Sequence, residues 1–122
     1  MRAESLRIVV VDDDEDVRLA LRYLLAASGY NVRVFASAEE LLGEDVVADC
    51  FLFDVQLPKL TGIELAERIR STGSRVPILL MTGYDEESTQ NAITRSGLPL
   101  LRKPFDEDAI LRSVARCTRP GE

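Results

Sequence analysis

Histidine is missing from this sequence altogether, and with it the commonest general base and the commonest side-chain metal ligand. Any chemistry here must run on carboxylates, hydroxyls, amines or a metal bound through oxygen. Cysteine is scarce: Cys50 and Cys117 lie far apart and match no metal-ligand spacing, so they read as two reduced thiols of a cytoplasmic protein. No apolar run approaches the roughly 20 residues needed to cross a bilayer. The stretch from Met1 to Arg7 lacks the apolar segment of a signal peptide, so no membrane association is expected. Positive charge is in deficit, with 15 Lys and Arg against 21 Asp and Glu and a formal net charge of −6. That balance disfavours direct nucleic-acid binding or attraction to anionic lipid.

What is present is an ordinary globular composition, 46% hydrophobic and 30% charged, in a chain of 122 residues. That length favours one domain over 1–122 with one core. Apolar runs alternate with helical patterns throughout. Ile8 to Val11 is a short β-branched strand, followed by Val17, Ala20, Leu21, Leu24 and Leu25 at the spacing of an amphipathic helix closed by Gly29. Asn31 to Phe35 alternates as a half-buried strand, and Ser37 with Glu40 forms an S-x-x-E capping box opening a short helix. Cys50 to Phe53 is a third strand. Gly62 to Ile69 reads as a helix with Ile63, Ala66 and Ile69 on one side, and Val76 to Met81 is a fourth strand. The polar segment from Asp85 to Ser96 has only Ala92 and Ile93 to bury and makes a marginal helix. Leu98 to Arg102 is a fifth strand, and Asp106 caps a last helix turning Ile110, Val114 and Cys117 inward.

Strands alternating with helices imply an α/β fold with a parallel sheet covered on both faces. The first, third and fourth strands are apolar on both sides and belong in the middle. The second alternates, and the fifth contains Pro99, which cannot donate to a ladder, so both belong at edges. The order 2-1-3-4-5, the flavodoxin-like doubly wound sheet, satisfies these constraints.

In such a sheet ligands bind beyond the carboxyl ends of the strands, where strand order reverses. Asp12 and Asp13 follow the first strand, Asp54 the third and Thr82 the fourth, and Lys103 follows the fifth. These side chains therefore collect at one edge. Two like charges about 4 Å apart repel by roughly 4 kcal/mol at an effective dielectric near 20. Three carboxylates need compensation, and a hard divalent cation such as Mg²⁺ provides it while leaving positions for phosphate oxygens. Asp54 is then the candidate nucleophile, able to form an acyl phosphate. Asp12 and Asp13 would hold Mg²⁺, one of them through water, with the backbone carbonyl of Gln56 completing the set. Thr82 can donate a hydroxyl hydrogen bond to a phosphoryl oxygen and Lys103 can pair with another. Phosphoryl transfer rests mostly on positioning and charge neutralisation, so no histidine is needed on this chain.

These residues, in this order, resemble the receiver domains of bacterial two-component response regulators. The resemblance is carried by Val10-Val11-Asp12-Asp13-Asp14, Phe53-Asp54-Val55-Gln56-Leu57-Pro58 with Gly62, Met81-Thr82-Gly83 and Lys103-Pro104-Phe105, and covers nearly the whole chain. It implies that a sensor histidine kinase passes a phosphoryl group to Asp54, and that a cis Lys103–Pro104 bond aims the lysine into the pocket. The texture around Ser37 to Leu42 and Asp54 to Leu65 is most similar to receivers joined to helix-turn-helix DNA-binding domains. The output would then be a DNA-binding domain in cis or a separate effector, with a phosphorylation-dependent dimer as one form of the switch. One departure concerns the usual aromatic three positions before the lysine, which is Leu100 here, beside an atypical Pro99. Tyr84 is a candidate substitute gate near the pocket.

Other functions fit less well. An unphosphorylated scaffold binding partners constitutively would not need the acid pair, Asp54, Thr82 and Lys103. An aspartyl-phosphate phosphatase would want an acid two residues after the nucleophile, where Gln56 stands. No G-x-G-x-x-G follows the first strand, which argues against a dinucleotide enzyme. The chain is therefore expected not to be a turnover enzyme, beyond self-catalysed phosphorylation and hydrolysis of its own acyl phosphate.

Overall fold

The computed structural model describes residues 5–83 and 86–118. Its elements run β1 (Arg7–Val11), α1 (Glu15–Ala27), β2 (Asn31–Phe35), α2 (Ala38–Leu42), β3 (Cys50–Asp54), α3 (Gly62–Ser71), β4 (Ile78–Thr82), α4 (Glu87–Ser96), β5 (Leu100–Arg102) and α5 (Glu107–Thr118). All pairings are parallel and the strand order is β2-β1-β3-β4-β5, the flavodoxin-like arrangement expected. The central strands β3 and β4 are buried along their whole length.

Because side chains alternate along a strand, each central strand feeds two cores. Val9, Val11, Phe51, Phe53, Ile78 and Leu80 face Leu65 of α3 and Ile93 of α4. Ile8, Val10, Cys50, Leu52, Leu79 and Met81 face Leu21 and Leu25 of α1 and Ile110 and Val114 of α5. A strand apolar on both faces can sit only between two such layers.

Helix boundaries follow local chemistry. Asp14 caps α1, its carboxylate accepting from the N–H groups of Asp16 and Val17. Ser37 caps α2 by accepting the Glu40 N–H at 3.1 Å, but the Glu40 carboxylate reaches back to the Ala36 N–H at 2.9 Å. The S-x-x-E pair is thus half a capping box. The complete one opens α3, where Thr61 and Glu64 each accept the other's backbone N–H.

Three expectations shift. On α3 the deeply buried residues are Leu65 and Ala66, whereas Ile63 and Ile69 are half-buried. On α1, Ala20 is exposed rather than part of the buried stripe. β5 is shorter than the Leu98–Arg102 run: Pro99 offers only its carbonyl, which accepts the Leu80 N–H at 2.9 Å, and the ladder starts after it. Tyr84 and Asp85, named above as a gate and a helix start, lie outside the described residues. α4 begins at Glu87 with no side-chain cap, buries Ile93 and ends at Gly97 in the left-handed conformation.

Candidate functional site

The reversal of strand order puts β1 and β3 side by side, Val11 paired with Phe53, so Asp12 and Asp54 emerge together at the carboxyl edge. The next pairing sets Asp54 beside Met81, bringing Thr82 to the same edge. Lys103 joins them because its N–H donates to the Thr82 carbonyl at 2.8 Å, holding the residue after β5 against the end of β4. The Lys103–Pro104 peptide is cis.

Asp12 and Thr82 are fully buried and Asp54 is only 4% exposed, whereas Asp13 is exposed. The Lys103 Nζ donates to Asp12 Oδ2 at 2.8 Å and to Asp54 Oδ2 at 3.3 Å. The remaining oxygens are also tied down. Asp12 Oδ1 accepts the Asp14 N–H at 2.9 Å, and Asp54 Oδ1 accepts the Gln56 N–H at 3.1 Å. Asp12, Asp13 and Asp54 each offer a carboxylate oxygen within 4.8 Å of the other two. A cavity of about 270 Å³ opens over this floor, lined by Asp13, Asp14, Asp54, Gln56, Gly83 and Lys103. The larger groove of about 620 Å³ is a neighbour, apolar, between α1 and α5 and touching the site only at Gly83 and Lys103.

The electrostatics are those of an acid cluster short of positive charge. Burial holds the Asp54 carboxyl above the usual range and the Asp12 charge pushes the same way, against the Gln56 amide and the Lys103 ammonium. Burial alone would lower Lys103, but its bonds to Asp12 and Asp54 and their charges outweigh it and raise it. The one Lys103 ammonium thus serves Asp12 and Asp54, while Asp13 adds a third carboxylate to the same cluster. An all-oxygen donor set, uncompensated charge and an open cavity above fit a hard divalent cation such as Mg²⁺.

Sequence reasoning named Asp12, Asp13, Asp54, Thr82 and Lys103, and the fold gathers all five at this edge, with Gln56 on the cavity wall. It missed Arg18, whose Nη1 donates to the Asp12 carbonyl at 2.8 Å, and the double duty of Asp14 as helix cap and cavity wall. Arg18 is one turn into a helix, where an arginine ordinarily signals only a solvated face. Gly62 was noticed as part of a motif, and the structure supplies its reason: a Cβ there would stand 2.2 Å from the Asp54 carbonyl oxygen.

Fold and acidic edge together define a doubly wound domain with a cation-ready pocket at its topological switch point. Residues 8–115 match the family model described as the response regulator receiver domain. Response regulator MprA of Mycobacterium bovis is 39% identical over 126 residues, covering 97% of this chain and 54% of the relative. Transcriptional regulatory protein FixJ of Azorhizobium caulinodans is 36% identical over 114 residues, covering 91% of this chain and 54% of the relative. Among solved structures, a CheY-like response regulator receiver domain protein from Methanospirillum hungatei JF-1 superposes with a TM-score of 0.84. It is 27% identical, with 93% of each chain covered. The chain belongs to the response regulator receiver domain family and is a signalling domain of two-component systems. It spans about half the length of the curated relatives it matches. Among the described residues no helix is long and apolar enough to cross a membrane.

Proposed function

We propose that residues 1–122 act as one phosphoacceptor domain, and that Asp54 takes a phosphoryl group from a phosphohistidine of a sensor histidine kinase. The observation that carries this reading is the state of Asp54: 4% exposed, pinned by the Gln56 N–H, and bonded to Lys103 at 3.3 Å at the floor of an acidic cavity. A carboxylate so placed presents an oxygen in a fixed direction, and positioning is what phosphoryl transfer needs most. An Asp54 oxygen forms the bond to phosphorus as the donor's P–N bond breaks, and the leaving imidazole keeps the electron pair and takes up a proton. The Lys103 ammonium, already between Asp12 and Asp54, then pairs with a phosphoryl oxygen, and the Thr82 hydroxyl donates to another.

Asp12, Asp13 and Asp54, with the Gln56 carbonyl, are the residues that would hold Mg²⁺, one of the acids through water. When bound, it would supply the positive charge that three carboxylates and the incoming phosphoryl oxygens require. Acetyl phosphate with Mg²⁺ should add one phosphoryl group to the wild type and none to Asp54→Asn, read by intact mass. Phosphorylation of the Asn variant at an equal rate would remove Asp54 from this role.

The domain works in this reading as a cytoplasmic switch and not as an enzyme on a diffusing substrate, its only catalysis being phosphorylation and dephosphorylation of itself. Its output is a DNA-binding domain in cis or a separate effector, a reading favoured by the transcriptional role named for the FixJ relative. A phosphorylation-dependent dimer is one form the output could take. Leu100, half-buried against the α3 and α4 side of the core, carries no polar group. A relay through a hydroxyl-bearing aromatic at that position is therefore not available to this domain.

A further inference from the structure

Asp12 is held at every polar group it has. Its N–H donates to the Phe35 carbonyl at 3.1 Å, Oδ1 accepts the Asp14 N–H at 2.9 Å, and Oδ2 accepts from Lys103 Nζ at 2.8 Å. The fourth bond comes from Arg18, whose Nη1 donates to the Asp12 carbonyl at 2.8 Å. Asp13, the next residue, is the reverse case. It is exposed, and among the described residues its carboxylate has no hydrogen-bond or ion-pair partner. One of its oxygens nevertheless lies within 4.8 Å of those offered by Asp12 and Asp54.

A peptide unit is planar, so the Asp12 carbonyl and the Asp13 N–H turn together. Among the described residues, the bond from Arg18 is the one hydrogen bond on that unit. It is charge-assisted, and so of the stronger kind. Helical side chains lean toward the N-terminus, which lets a residue one turn in reach back over the loop before the helix. Arg18 is anchored at its own backbone as well, its N–H donating to the Asp14 carbonyl at 3.0 Å.

We propose that Arg18 is a positioning residue for the cation site. By holding the Asp12 carbonyl it fixes the plane of the Asp12–Asp13 peptide, and so sets the direction in which Asp13 carries its carboxylate to the acid cluster. This role rests on the reading of Asp12, Asp13 and Asp54 as Mg²⁺ ligands, and not on Asp54 being the phosphoacceptor. Taken only as a charge, Arg18 would act with the opposite sign. A cation near the start of a helix faces the positive end of its dipole, and it repels a divalent cation at the acids beside it. As a charge Arg18 opposes metal binding; as a clamp it favours it. Groups that orient metal ligands contribute roughly 10- to 100-fold in affinity, whereas repulsion from a half-exposed guanidinium is screened by water and salt. The clamp should win.

The test follows the melting temperature against Mg²⁺ concentration in wild type, Arg18→Met, Asp13→Ala and the double variant. The melt in chelator reports the fold, and the Mg²⁺ dependence gives Kd separately. Methionine keeps the unbranched stem along the helix and removes the donors. Arg18→Met should weaken Mg²⁺ binding about tenfold. In the Asp13→Ala background the same change should alter Kd by no more than about twofold, because the ligand it aims is gone. Arg18→Gln, shorter and also uncharged, should repeat the pattern. A merely structural arginine would lower the melt in chelator and leave Kd where it was. Equal or tighter Mg²⁺ binding in Arg18→Met, or a tenfold loss that persists without Asp13, would overturn the clamp and leave the cation site standing. A wild type with no Mg²⁺ dependence would remove the site itself, and this role of Arg18 with it.

Discussion

Gly62 presses its backbone against Asp54: a Cβ at Gly62 would sit 2.2 Å from the Asp54 carbonyl oxygen and 2.8 Å from its carbonyl carbon. The N-terminus of α3 therefore supports the candidate phosphoacceptor from below. Its Gly62 N–H also donates to the Val55 carbonyl at 3.1 Å. Gly62→Ala should destabilise the domain by about 2 kcal/mol, since a backbone clash cannot be relieved by a side-chain rotation. It should also slow phosphoryl acceptance, as the end of β3 shifts. Urea unfolding followed by circular dichroism checks the first point, and a wild-type midpoint would refute it.

Lys103 bridges Asp12 and Asp54, and its side chain is only 22% exposed. Lys103→Ala leaves a fully buried Asp12 carboxylate without its ammonium and should cost about 3 kcal/mol in metal-free buffer. The native Lys103 is raised above 10.5, so its stabilising contribution is complete below that value and is lost as pH rises through the native one. Base titration of unfolding should show a loss in the wild type that the Ala variant lacks.

Asp13 is exposed and contributes an oxygen to the acid cluster. Asp13→Ala should leave metal-free stability within about 0.5 kcal/mol of wild type. It should nevertheless weaken the stabilisation that Mg²⁺ brings, about 2.7 kcal/mol at a hundredfold excess over Kd for an intact site. Thermal melts with Mg²⁺ and with a chelator separate the two effects. Equal Mg²⁺ shifts in both proteins would take Asp13 out of the ligand set.

Asp54 is raised above its ordinary 3.8, first by burial and then by Asp12. Between 3.8 and the native value the folded protein keeps a proton that the unfolded chain has released. Stability therefore falls as pH rises through that window. In chelator, Asp54→Asn should be more stable than wild type at pH 7, and the advantage should shrink as pH falls through the native value. A difference that does not change with pH would contradict the assigned cause.

The sheet order was readable because burial on one face or two leaves a period-two or continuous apolar signature, and Pro99 marked an edge. The acidic edge was readable for the same reason: once strand ends are known, residues just beyond them are neighbours. Less was visible where a helix has two plausible faces. Leu65 is fully buried and Ile63 only half-buried, on a helix whose first residue, Gly62, sits tightly against the end of β3. That Cys117 packs against the same core layer as Cys50 depends on how α5 crosses the sheet, a tertiary relation with no local signature. The bond from Arg18 to the Asp12 carbonyl is equally tertiary.

The depth of Asp54 bears on time as well as on entry. Hydrolysis of an acyl phosphate needs a water in line with the bond to be broken, and the cavity over this floor has Gln56 and Gly83 in its wall. If Asp54 is the phosphoacceptor proposed above, the Gln56 side chain stands where that water would have to enter. The duration of a signal would then depend on a side chain that takes no part in receiving it.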